Sequence, residues 1–140
     1  MGRGPFLLGV AWYPEWEPEG AWEEDLIRMR EAGLNAVRIA EFSWEQIWPA
    51  PERFDFSLYD QVMARCAELG MAVVLGIDTV RPPSWLFERE PDIRMVDNLG
   101  RSAPGMWPTH CFNHPKFTEW SSLYIREVVT RYRQNPLWPK

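Results

Sequence analysis

Met29-Arg30-Glu31-Ala32-Gly33-Leu34-Asn35-Ala36-Val37-Arg38-Ile39-Ala40-Glu41 carries the chain from a helix into a strand with almost nothing between. Upstream, Trp22, Leu26 and Met29 recur at helical spacing while Glu23, Glu24, Arg28 and Arg30 fall elsewhere, which predicts a helix over 21–32. Gly33 is its terminator. Only Leu34 and Asn35 precede Ala36-Val37-Arg38-Ile39, a β-rich run that reads as a strand ending at Ala40-Glu41. The same order recurs downstream. Leu58, Val62, Cys66 and Leu69 make a helical stripe that Ser57 can cap, Gly70 ends it, and 71–77 starts a strand at once.

Working outward, residues 6–12 (FLLGVAW) are nearly continuously apolar, as in a strand buried on both faces. Residues 42–55 read as a long loop with one helical turn. Beyond Asp78 the pattern breaks. Pro82-Pro83-Ser84 opens a short helix over 85–90, 93–96 reads as a short strand, and Asp97-Asn98-Leu99-Gly100 as a tight turn. Phe117, Trp120, Tyr124, Val128 and Tyr132 share one face of a last helix over 116–133.

Strand and helix therefore alternate three times, which argues parallel strands joined by right-handed crossovers. Helix-to-strand links are a couple of residues long. Strand-to-helix links are long and rich in Trp, Pro and acids. In α/β folds the site gathers at the carboxyl ends of the strands, where those long links lie. The first such link is Tyr13-Pro14-Glu15-Trp16, without the G-x-G-x-x-G of a nucleotide binder. Aromatic and acidic strand ends suit a hydroxyl-rich ligand that stacks on rings, such as a sugar. A (β/α)8 barrel takes about 250 residues. The 140 residues here hold about three βα units, so the expected fold class is α/β, an incomplete N-terminal portion of a (β/α)8 TIM barrel, in one partial domain over 1–140.

Composition narrows the classes. Lys+Arg 15 against Asp+Glu 20 gives a net charge of -5 with no basic cluster, which argues against nucleic acid as a partner. No apolar run approaches the roughly 18 residues of a membrane helix, so no membrane partner is expected. Cys66 and Cys111 cannot build a disulfide framework, and a reduced, cytoplasmic protein is the expectation. The 9 Trp leave open whether they line a site or fill a core.

Several motifs then agree in register. Leu8-Gly9-Val10-Ala11-Trp12-Tyr13-Pro14-Glu15 resembles the opening of glycoside hydrolase family 42, the β-galactosidases. The run from Met29 to Trp44 is similar to that family's second-strand signature. Phe54-Asp55-Phe56, Val74-Leu75-Gly76, Pro82-Pro83-Ser84-Trp85-Leu86, Cys111-x-Asn113-x-Pro115 and Arg131-Tyr132 match in order and spacing. The resemblance implies a retaining hydrolase of terminal β-galactosides, which needs two carboxyl groups about 5–5.5 Å apart. In the family these are glutamates ending the fourth and seventh strands. No residue here matches either, so no catalytic residue is assigned and the chain alone is expected to be inactive, truncated before the fourth strand. Two stretches depart from the family pattern: 106–110 lacks the family's sugar-binding Arg, and 137–140 is unlike its lead into the fourth strand.

Position at the strand ends makes Glu41, Asp78 and Trp12 the candidate substrate-binding residues. Glu41 and Asp78 would accept from sugar hydroxyls; the bland alternative for Glu41 is an ion pair with Arg38. Trp12 and Tyr13 line the site or plug the barrel top. Trp44, Trp48 and Trp85 read as loop packing, and Cys66 as core. No cofactor is expected of this chain. The resemblance implies a structural zinc in a full-length parent, held by Cys111 with three cysteines further along. Cys111 and His114 alone fall short of the four ligands of a closed site. The expected partners are a β-galactoside or related sugar and either the remaining barrel half or a second copy. The rival to an enzyme fragment is a non-catalytic carbohydrate-binding or barrel-complementing fragment.

Overall fold

A computed structural model describes residues 6–18, 20–102 and 109–134. Three strands, β1 (Gly9–Ala11), β2 (Ala36–Ile39) and β3 (Ala72–Leu75), alternate with helices α1 (Ala21–Glu31), α2 (Trp44–Ile47), α3 (Ser57–Glu68), α4 (Ser84–Arg89) and α5 (Pro115–Tyr132). The expected parallel order is realised as β1-β2-β3, with Val10 opposite Val37 and Val37 opposite Val73. The residues form two compact units, one of residues up to 41 with 56–76, the other of 42–55 with 77–133.

The first unit is the sheet with α1 and α3. Gly33 at φ 90 and Gly70 at φ 64 end the two helices in the left-handed conformation that a Cβ would disfavour, which allows the return to the next strand within one or two residues. Side chains alternate across a strand, so Val37, Ile39 and Val73 point one way and are buried, with Leu26 of α1 and Tyr59, Val62 and Cys66 of α3 also buried in this unit. Ala11, Arg38 and Val74 stand in register on the opposite face and are exposed. A cavity of about 330 Å³ opens there, lined by Leu7, Gly9, Ala11, Ala36, Arg38 and Val74.

The first strand departs from expectation. A strand over 6–12 buried on both faces was expected, but β1 is three residues long and wholly exposed, with Phe6 82 % and Val10 41 % accessible. The reason is its place at the sheet edge, paired with β2 on one side only. Asn35 extends the ladder instead: its Oδ1 accepts from the Leu8 amide at 2.7 Å and its Nδ2 donates to the Phe6 carbonyl at 2.9 Å. At Gly9 the strands approach so closely that a Cβ would lie 2.4 Å from the Ala36 oxygen. An exposed apolar face beside an unpaired strand edge favours association. Light scattering at rising concentration is therefore expected to show oligomers; a monodisperse monomer throughout would refute this.

Two further local readings change. Ser57 does not cap α3. It is the first helical residue, with Phe56 at the cap position, because the Asp60 amide already bonds the Phe56 carbonyl. Residues 93–96 form no strand. A 3-10 turn over Pro91–Ile93 precedes two isolated antiparallel bridges, Arg94 to His110 and Val96 to Ser102. The turn at Asp97-Gly100 forms as expected, and Asp97 Oδ1 takes the amides of Leu99 at 2.8 Å and Arg101 at 2.9 Å, diverting donors that a longer ladder would need.

In the second unit Trp48, Trp85 and Trp120 are packed against one another. Trp44 stacks on Tyr124 at 4.9 Å between ring centroids, and Trp48 on Phe54 at 4.4 Å. Trp48 also meets Trp85 and Trp120 at 5.0 and 5.7 Å. The ring nitrogens are used locally, Trp85 Nε1 donating to the Trp48 carbonyl at 2.8 Å and Trp48 Nε1 to that of Pro51 at 3.1 Å. The expected stripe of α5 turns Phe117, Tyr124, Val128 and Tyr132 inward, with Trp120 half-buried. No helix among the described residues is long and apolar enough to cross a membrane.

Candidate functional site

The carboxyl ends of β1 and β2 bring together what the sequence spreads over nearly thirty positions. From β1 the chain passes through Trp12 and Tyr13 into a 3-10 turn, Pro14–Trp16, whose first proline suits that turn. From β2 it passes through Ala40 to Glu41. The Tyr13 hydroxyl donates to Glu41 Oε2 at 2.9 Å, and the Arg38 guanidinium lies 2.9 Å from Oε1. Each carboxylate oxygen thus has one charged or polar partner and keeps acceptor capacity. The Glu41 side chain is 25 % accessible, so that capacity faces solvent. Donation to the carboxylate makes the Tyr13 phenol harder to ionise and raises its pKa above the ordinary value. The Trp16 ring stacks on Tyr13 at 4.6 Å and is exposed.

The ion pair of Glu41 with Arg38 is therefore present together with a strand-end position. Trp12 is 6 % accessible, and its Nε1 is buried with no hydrogen-bond partner among the described residues. Asp78 lies in the second unit, 6 % accessible, its Oδ1 accepting from the Val80 amide at 2.7 Å, a side-chain turn that shapes the link after β3. Two features escaped the sequence reading. Glu15 carries a buried carboxyl, and that burial raises its pKa above the ordinary value. Ala40 has φ 62, the one non-glycine residue in the left-handed region among the described residues. Neither has a local signature: an acid in a Pro-Glu-Trp turn and an alanine after a strand are both ordinary.

Among the described residues, the Cys111 motif gathers no set of metal ligands. Cys111 is half-buried; His110 is stacked on Phe117 at 4.1 Å and meets Phe112 edge-on at 4.5 Å. His114 Nδ1 accepts from the Lys116 amide at 3.2 Å, capping α5. No three His, Cys, Asp or Glu side chains among the described residues converge as ligands, short of what a structural zinc requires. Most of the stretch that lacks the family arginine, and all of 137–140, lie outside the described residues.

Comparison with known proteins settles the family. The model of the Beta-galactosidase family, glycoside hydrolase family 42, matches residues 11–138. The chain belongs to this family. It is 42 % identical over 127 residues to a β-galactosidase of Thermus thermophilus, covering 90 % of this chain and 20 % of that protein. It is 40 % identical to β-galactosidase BgaA of a Thermus species over the same shares. Among solved structures, the polyextremophilic β-galactosidase of Halorubrum lacusprofundi superposes with TM-score 0.88 at 36 % identity, covering 95 % of this chain and 20 % of that one. The β-galactosidase of the psychrophilic Marinomonas ef1 gives 0.86 at 32 %, with the same coverage. The chain thus spans about a fifth of the length of the family 42 relatives it matches. Its fold is the N-terminal portion of the family's (β/α)8 barrel, and its three parallel strands are the part of the barrel sheet it supplies.

Proposed function

We propose that these residues supply part of the sugar-binding end of a retaining hydrolase of terminal β-galactosides, and that they do not turn over substrate by themselves. The carrying observation is the Glu41 carboxylate, held by Tyr13 and Arg38 at the ends of β1 and β2 with acceptor capacity open to solvent. In this reading Glu41 accepts from a sugar hydroxyl. Trp12 offers its unused Nε1–H. Hydrolysis with retention needs an acid/base and a nucleophile about 5–5.5 Å apart, and the family resemblance puts both on strands that no residue here matches. The partner that completes the reaction is then the remaining part of the barrel, with residues 1–140 acting as one partial domain. A cytoplasmic setting belongs to the same reading, since Cys66 is a buried free thiol, pushed up to about 11 by burial, and Cys111 is also free.

The test combines binding and turnover. Galactose is expected to shift the amide resonances of residues 12–16 and 38–41 in an NMR titration. Glu41→Gln is expected to weaken binding about 10–100-fold, the equivalent of one hydrogen bond to a charged group. The chain alone is expected to leave an aryl β-galactoside intact, and to support hydrolysis when mixed with a chain carrying the remaining barrel strands. Parent-like affinity in the Glu41→Gln chain defeats the binding assignment; hydrolysis by the purified chain alone defeats the complementing role.

A further inference from the structure

Side chains alternate along a strand, so a β2 that ran on regularly would put Glu41 on the face of Val37 and Ile39. That face is buried, both residues being 1 % accessible or less. Arg38 belongs to the opposite, open face. Yet Glu41 reaches Arg38 at 2.9 Å and the Tyr13 hydroxyl at 2.9 Å. The alternation has therefore been reversed in one step, and the residue between is Ala40, fully buried at φ 62. A left-handed residue turns the chain where an extended one would carry it straight on. Residues with a Cβ avoid that conformation, and where one is held there the surroundings must hold it.

The surroundings are the end of β3. The Gly76 amide donates to the Ile39 carbonyl at 2.8 Å, the last rung between these strands before the turn. At Gly76 a Cβ would lie 3.0 Å from the Ala40 oxygen and 3.1 Å from both the Ala40 carbonyl carbon and the Glu41 Cα. Those atoms are backbone and cannot swing aside. The absence of a side chain at 76 is what lets the Ala40-Glu41 peptide sit where it does.

We propose that Ala40 and Gly76 are positioning residues: the left-handed Ala40, seated against the bare Gly76 backbone, turns Glu41 from the buried face of β2 to the open one and fixes its carboxylate between Tyr13 and Arg38. This rests on the reading of Glu41 as a sugar acceptor, and it names what makes that acceptor available. Neither residue touches the ligand. Both act through the peptide that carries Glu41.

The Tyr13 phenol reports the arrangement without any sugar, because its raised pKa comes first from the hydrogen bond to Glu41. With isotope-labelled tyrosine in the full chain, Tyr13 is expected to titrate above the ordinary phenol value of 10.0. In Gly76→Ala it is expected to fall back toward that value, while the buried Tyr59, Tyr124 and Tyr132 keep their dispersed resonances. Ala40→Gly, which accepts φ 62 without strain, is expected to keep the parent titration of Tyr13, and Glu41→Gln to lose it. A folded Gly76→Ala chain with parent Tyr13 titration overturns the proposal. So does one in which all tyrosine resonances collapse together, since the contact would then serve the whole fold and not Glu41. A raised Tyr13 titration with no galactose response leaves the positioning intact and defeats only the sugar reading.

Discussion

Trp48→Ala is expected to cost about 3–5 kcal/mol of folding stability, the range for truncating a large buried aromatic. Trp48 is 1 % accessible and touches Phe54, Trp85 and Trp120. Truncation removes those contacts together and strips the Pro51 carbonyl of its indole donor. Domains are stable by only about 5–15 kcal/mol, so much of the folding free energy of the second unit is at stake. Thermal denaturation followed by circular dichroism, at concentrations below association, is expected to show a midpoint lower by roughly 10–20 °C. The outcome also decides what the tryptophans are for. A ligand platform tolerates truncation with loss of binding alone; an unchanged midpoint in Trp48→Ala would show that the cluster is not the core of this unit.

Acid is expected to destabilise the chain through His110. This imidazole is 1 % accessible among Phe112 and Phe117, and burial pulls its pKa down from 6.5 to about 4. The folded state therefore binds fewer protons than the unfolded state between those values. The contribution is complete above pH 6.5 and is lost as pH falls to about 4. At about 1.4 kcal/mol per unit, the loss is on the order of 3 kcal/mol. Urea midpoints measured across that window are expected to fall steadily in the parent and to flatten in His110→Leu, which keeps an apolar body and cannot be protonated. An equal slope in both chains would remove His110 as the cause. Glu15 works with the opposite sign. Burial raises its folded pKa, so its contribution is complete below its ordinary value of 4.5 and is lost as pH rises through the folded value.

Both variants probe side chains whose neighbours the sequence does not name. Trp48 reads from its loop position as packing, and only the structure supplies the rings it packs against. In sequence His110 is only a histidine between Thr109 and Cys111; Phe117, which stacks on it, comes from the start of the next helix. Glu41 is the intermediate case. Its place at a strand end follows from periodicity, and its pairing with Arg38 from proximity in the chain. Its hydrogen bond to Tyr13 comes from another strand.

By itself the sequence determined the α/β class, the parallel order, the helix terminators at Gly33 and Gly70, and the family. These are properties of local spacing: a 3.6-residue period, a β-branched run and a glycine each act over a few neighbouring residues, and short links leave parallel strands one economical arrangement. Only the tertiary structure decided that β1 is an exposed edge, that Trp48, Trp85 and Trp120 pack against one another, and that Ala40 reverses the alternation of β2 so that Glu41 meets Tyr13. Burial and side-chain direction at a strand end depend on what lies across the sheet, and residues as far apart as Ala40 and Gly76 acquire their bearing on each other only when β2 and β3 are laid side by side.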